Sequence, residues 1–65
     1  MSNTNKSADK FYNFGNDFYE FGEFQQAIFY YDEAIKLDPS WYKPYYNKSL
    51  SYACLENYSA NEYKI

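Results

Sequence analysis

Aromatic and aliphatic side chains recur along this chain at the spacing of helix faces. Phe11, Phe14, Phe18 and Phe21 fall at +3, +7 and +10, which places them on one side of a helix. Gly15 lies on that side, between the rings. A glycine inside a helix costs about 1 kcal/mol against alanine, so it predicts the close approach of a neighbouring helix. A second stripe follows in Phe24, Ala27, Ile28, Tyr31, Ala34 and Ile35. The small Ala27 and Ala34 are expected on its buried side, with Gly15 interlocking around Ala27 and Tyr31. A third helix is predicted from Trp41 to about Leu55, and a fourth begins at Tyr58 and runs to Ile65.

The breaks between these stripes carry turn chemistry. Gly22 is expected to end the first helix, because glycine alone takes the left-handed terminal conformation without penalty. Asp38-Pro39 stops the second, since proline disfavours helical backbone in the residue before it. Ser40 is placed to cap the third helix, and Pro44 falls in its first turn, where a missing amide matters least. Glu56-Asn57 is read as the next turn. Residues 1–7 are polar and aperiodic, a disordered tail, with Ser7 or Asp9 available to cap the first helix.

Shifted by 34 residues, the chain lines up with itself. Phe11 falls on Tyr45, Tyr12 on Tyr46, Asn13 on Asn47 and Gly15 on Ser49. Phe18 meets Tyr52, Phe21 meets Leu55, Phe24 meets Tyr58 and Phe29 meets Tyr63. A period of this length with helical spacing means stacked helix–turn–helix units. Such units bury their apolar faces against one another, and the surface they build serves binding rather than catalysis.

These residues resemble the tetratricopeptide repeat. Phe11, Phe14, Gly15 and Phe18 occupy its first-helix aromatic, apolar, glycine and aromatic places. Ala27, Tyr31, Ala34 and Pro39 occupy the second-helix small residue, aromatic, small residue and closing proline. The resemblance implies an all-α fold in right-handed superhelical stacking, with a first repeat at 8–41 and a second, truncated repeat at 42–65. That is about one and two-thirds units. The second unit departs from the pattern: Lys48 replaces an apolar residue, Glu56 the turn glycine, and Asn61 a small residue, with Ala60 one place early.

In this family the first helix of each unit lines a concave groove for a partner peptide. By resemblance the groove residues are Tyr12, Asn13, Asn16, Tyr19 and Glu20, then Lys43, Tyr46, Asn47 and Leu50. An asparagine amide can donate to and accept from an extended backbone at once, and tyrosine offers contact area with little rotamer entropy to lose. Asn16 and Asn47 also match two places used by members that hold a C-terminal carboxylate, but Tyr12 stands where those carry a lysine.

Composition narrows the partners. The chain has a formal charge of −3, six lysines and no arginine, which argues against nucleic acid. The ten tyrosines and six phenylalanines enlarge a small core, although a biased base composition would produce the same excess. Without histidine there is no ready general base or imidazole ligand, and the single Cys54 has no histidine to activate it. The chain is therefore read as a non-enzyme with no cofactor and no metal. No run is long enough to span a bilayer and no leader pattern is present, so the expected setting is cytoplasmic, consistent with a lone cysteine. Three glycosylation triplets, beginning at Asn5, Asn47 and Asn57, are taken as chance in an asparagine-rich chain.

The expected function is protein–protein interaction on the concave face, with a protein or peptide as partner. The alternative is a self-assembly unit whose incomplete repeat is finished by another copy. Tyr52, Leu55, Tyr58 and Ile65 would then form the uncovered edge, and the chain would be a homo-oligomer. RNA binding in the manner of other helical repeats is disfavoured by the charge.

Overall fold

The computed structural model describes the backbone of residues 6–63 and the side chains of residues 6–57. Three helices follow one another: α1 (Lys6–Glu20), α2 (Phe24–Leu37) and α3 (Tyr42–Tyr63). α2 packs against both others, so the chain runs up, down and up, with α1 and α3 side by side only at one edge.

The α1–α2 turn is made by hydrogen bonds that close on a left-handed glycine. Gly22 has φ +83°, its amide donates to the Tyr19 carbonyl (3.1 Å), and the Glu23 amide reaches the Phe18 carbonyl (2.9 Å). This pair satisfies two carbonyls that a helix end otherwise leaves open. Nothing stands within 4 Å of a Cβ added at Gly22, so the need for glycine is conformational alone. Gly22→Ala is expected to cost about 1 kcal/mol, read by urea denaturation. An unchanged midpoint would mean the turn can reshape freely.

The boundaries differ from those predicted in three places. Lys6 and Ser7 belong to α1, so that part of the expected tail is helical, and Ser7 and Asp9 lie inside the first turn rather than at its cap. The Ser40 hydroxyl donates to the Asp38 carboxylate (3.2 Å) instead of capping α3, which starts only at Tyr42. The expected turn at Glu56-Asn57 and the separate fourth helix from Tyr58 are replaced by one continuous helix to Tyr63. Glutamate at the place of Gly22 has no easy access to left-handed backbone, so the carbonyls keep their helical partners and the helix goes on.

Small residues hold the first hairpin close. Ala8, Gly15, Ala27 and Ala34 are buried together with Ile28 and Tyr31. Gly15 lies against the Tyr31 ring, as its place between the phenylalanines predicted. The other main contact was not anticipated from spacing. Tyr30 stacks on Phe18 (5.4 Å between centroids, 3° between planes) and meets Phe11 at 6.0 Å and Phe14 at 5.5 Å. Aromatic pairs contribute about 0.5–1.5 kcal/mol beyond the area they bury, so Tyr30 is a main clamp between α1 and α2.

α3 docks on α2 through Pro44, Lys48 and Ser51, one stripe of its surface. Pro44 and Ser51 are fully buried. The Ser51 hydroxyl donates to the Asn47 carbonyl one turn back (2.9 Å), which removes the cost of burying it. Lys48, the departure from the apolar pattern, forms an ion pair with Asp32 of α2. Its hydrogen bond to that carboxylate holds the ammonium pKa above the usual lysine range. A charged side chain at an apolar place is thereby given a specific partner.

Candidate functional site

α1 and α3 run parallel along the edge where they meet. Residues 35 apart therefore come level, one more than the sequence period: Tyr12 meets Asn47, and Tyr19 meets Cys54. Asn47 sits between Tyr12 and Asn16, which are one turn apart on α1. Its Nδ2 donates to the Tyr12 hydroxyl (3.1 Å) and to Asn16 Oδ1 (2.9 Å). Asn16 Oδ1 accepts a second bond from the Tyr31 hydroxyl (2.6 Å). Four side chains on three helices thus share one network.

Its buried end is Tyr31. Burial, which penalises the phenolate, pushes the Tyr31 pKa up to about 12, against a smaller opposing effect of the Asn47 amide. The hydroxyl stays protonated and remains a donor to Asn16. At the exposed end the Tyr12 ring packs on Trp41 (4.8 Å) as well as on Tyr31 (5.9 Å). Tyr19 lies further along, edge-on to Phe24 (5.4 Å), with its hydroxyl 3.7 Å from Cys54 Sγ. That hydrogen bond, with burial, holds the Tyr19 pKa above its ordinary value.

Helix order, the glycine–tyrosine interlock and the proline stop together describe one helix–turn–helix unit, and the family model for the tetratricopeptide repeat matches residues 8–41. The chain belongs to the tetratricopeptide repeat family. No curated protein and no solved structure matches it. The matched segment ends just before α3, so the repeat hairpin is α1 and α2.

Within this tetratricopeptide arrangement the expected groove residues divide into two groups. Tyr12, Asn16, Tyr19 and Asn47 are brought together across α1 and α3 and are half-buried there. Their polar atoms are largely engaged with one another. Asn13, Glu20, Lys43, Tyr46 and Leu50 stay exposed, Tyr46 at 62%. Two polar groups of the network keep no side-chain partner among the described residues: the Asn16 amide nitrogen and Asn47 Oδ1. No buried side-chain nitrogen or oxygen lacks a partner among the described residues. Of the two groups, one is a donor and the other an acceptor.

Three contributors were missed in the sequence. Spacing places Tyr31 in the core and Trp41 at a helix start, and it gives Cys54 no partner. The signal for Cys54 was the period itself, since one repeat plus one residue from Tyr19 is the cysteine. Of the residues expected at a self-association edge, Tyr52 is exposed and Leu55 half-buried. The Tyr58 side chain and Ile65 lie outside the described residues. Among the described residues, no group of three or more His, Cys, Asp or Glu is placed to hold a metal ion. No helix there is long and apolar enough to cross a membrane.

Proposed function

We propose that this chain is a non-catalytic protein-interaction module that holds an extended segment of a partner protein along the α1–α3 face. The single observation that carries the reading is the Asn16–Asn47 pair. An extended backbone offers a carbonyl and an amide to a surface, and Asn16 Nδ2 and Asn47 Oδ1 supply the matching donor and acceptor. Their mutual bond fixes both amides before a ligand arrives, so little rotamer entropy remains to be lost on binding. Tyr46 and Leu50 would receive the ligand's apolar side chains, with Asn13 and Lys43 at the rim.

Asn16 and Asn47 hold the helices together as well, so truncating them confounds binding with stability. Tyr46 and Leu50 are the cleaner test, because both are exposed. Against a peptide selected by display, Tyr46→Ala and Leu50→Ala are each expected to weaken binding by about 1 kcal/mol or more, with the melting temperature unchanged. Lys36→Ala, on α2, is expected to leave affinity alone. Calorimetric titration decides: equal losses at Lys36 and Tyr46 would move the site off the α1–α3 face.

A further inference from the structure

The outer face of α1, turned away from α3, carries Lys10, Phe14 and Asp17, and Phe21, just past its last residue, continues the stripe. All four are exposed, Phe14 at 43% and Phe21 at 81%. Contiguous exposed apolar surface marks interaction sites, and two exposed rings on one face supply such surface. The internal period says what kind. Shifted by 34 residues, the stripe becomes Pro44, Lys48, Ser51 and Leu55. Those residues form the face by which α3 docks on α2, with Pro44 and Ser51 fully buried and Lys48 paired to Asp32. The α1 stripe is therefore the counterpart of a helix-docking face; Phe14 touches Tyr30 of α2 at its edge, and all four residues remain exposed.

Its charges identify the occupant. Lys10 lies four residues before Phe14, and Asp17 three after. Neither is in an ion pair within the chain among the described residues. Place a second α1 across the stripe, antiparallel, with the two Phe14 rings on the two-fold axis. At about 1.5 Å rise per residue, Lys10 of each copy then falls within about 1.5 Å of level with Asp17 of the other. Two opposite-charge contacts form, and Phe21 lies over the aliphatic stem of the opposing Lys10. A parallel pairing would instead set Lys10 on Lys10 and Asp17 on Asp17. The pattern is self-complementary in one direction only.

We propose that two copies of this chain associate through the outer faces of their α1 helices, antiparallel about Phe14, with reciprocal Lys10–Asp17 contacts. The contact leaves the α1–α3 face open in both copies, so a dimer would present two peptide sites. It also differs from the α3 edge of Tyr52 and Leu55 expected from the sequence.

Charge reversal tests this without disturbing the fold, since both side chains are exposed and neither is in an ion pair among the described residues. Sedimentation equilibrium on the full chain, without peptide, across the micromolar to hundred-micromolar range should give a dimer. Lys10→Glu and Asp17→Lys should each raise its dissociation constant on the order of tenfold or more, because two contacts turn repulsive at once. The double variant should return to near the wild-type value. Phe21→Ser should weaken the dimer, and Tyr52→Ser should leave it intact; circular dichroism confirms that each variant is helical. A wild-type monomer throughout the range overturns the proposal. So does a dimer indifferent to both single reversals, a dimer lost in Tyr52→Ser, or a mass that climbs past two copies, which would indicate head-to-tail stacking.

Discussion

Gly15→Ala is expected to destabilise the hairpin, although it exchanges a poor helix former for the best one. A Cβ on residue 15 would stand 2.5 Å from Cε1 and 2.7 Å from Cδ1 of Tyr31, well inside contact distance. The ring cannot easily retreat. It is 0% exposed, and its hydroxyl is held 2.6 Å from Asn16 Oδ1. Alanine gains about 1 kcal/mol in propensity, whereas overpacking a closed contact costs about 1–3 kcal/mol. The second effect is larger here because a shift of Tyr31 also stretches its bond to Asn16. Gly15→Leu inserts a whole side chain into the same contact and should lie at the upper end of that range or beyond. Thermal denaturation checks both variants. If Gly15→Ala melts at or above the wild type, the ring has room to move and the interlock is not what sets the helix separation.

Stability should fall steeply in alkali, and Tyr31 should be the main cause. Its pKa rises from 10.0 to about 12 on folding. For an acid raised in this way, the folded state favours the neutral form. The contribution is fully present below pH 10 and is lost as pH rises towards 12. At about 1.4 kcal/mol per unit, the loss amounts to roughly 2–3 kcal/mol, a large share of what so small a domain possesses. Tyr19 and Lys48 have raised values too and act in the same direction, so the wild-type slope alone does not isolate Tyr31. Tyr31→Phe does. The variant should be about 1 kcal/mol less stable near pH 8, having lost the bond to Asn16, yet flatter than the wild type above pH 10. Urea denaturation at a series of pH values gives both slopes. Equal slopes would show that Tyr31 does not bear the alkaline loss.

The match between the chain and its own 34-residue shift was legible because it rests on short-range chemistry. Gly22 could end α1 and Pro39 could end α2 whatever surrounded them, since glycine and proline act on their own backbone. Phe11, Phe14 and Phe18 share one side of α1 because helical spacing alone puts them there. The Gly15–Tyr31 contact also followed, as a glycine between large rings has little other use. The same reasoning failed at Glu56, where the period suggested a turn but the residue lacks the backbone freedom to make one. Chemistry at the position outweighed the analogy, and α3 ran on to Tyr63.

Which side chains meet between helices was decided elsewhere. Spacing along one helix says which residues share a face, but not how far a second helix slides along it or how it is turned. Those two quantities come from how Gly15 receives Tyr31 and how Pro44 and Ser51 seat α3 on α2. The resulting stagger of 35 residues, rather than 34, drops Asn47 between Tyr12 and Asn16 and sets Tyr19 against Cys54. It turned two asparagines expected to stand free into a tied pair with one donor and one acceptor to spare. Tyr30 became a clamp, Lys48 found Asp32, and Phe14 and Phe21 were left outside for the same reason. The chain's local chemistry determined its helices and the close approach of the first two, while the packing of three helices against one another determined which of its surfaces remain available to a partner.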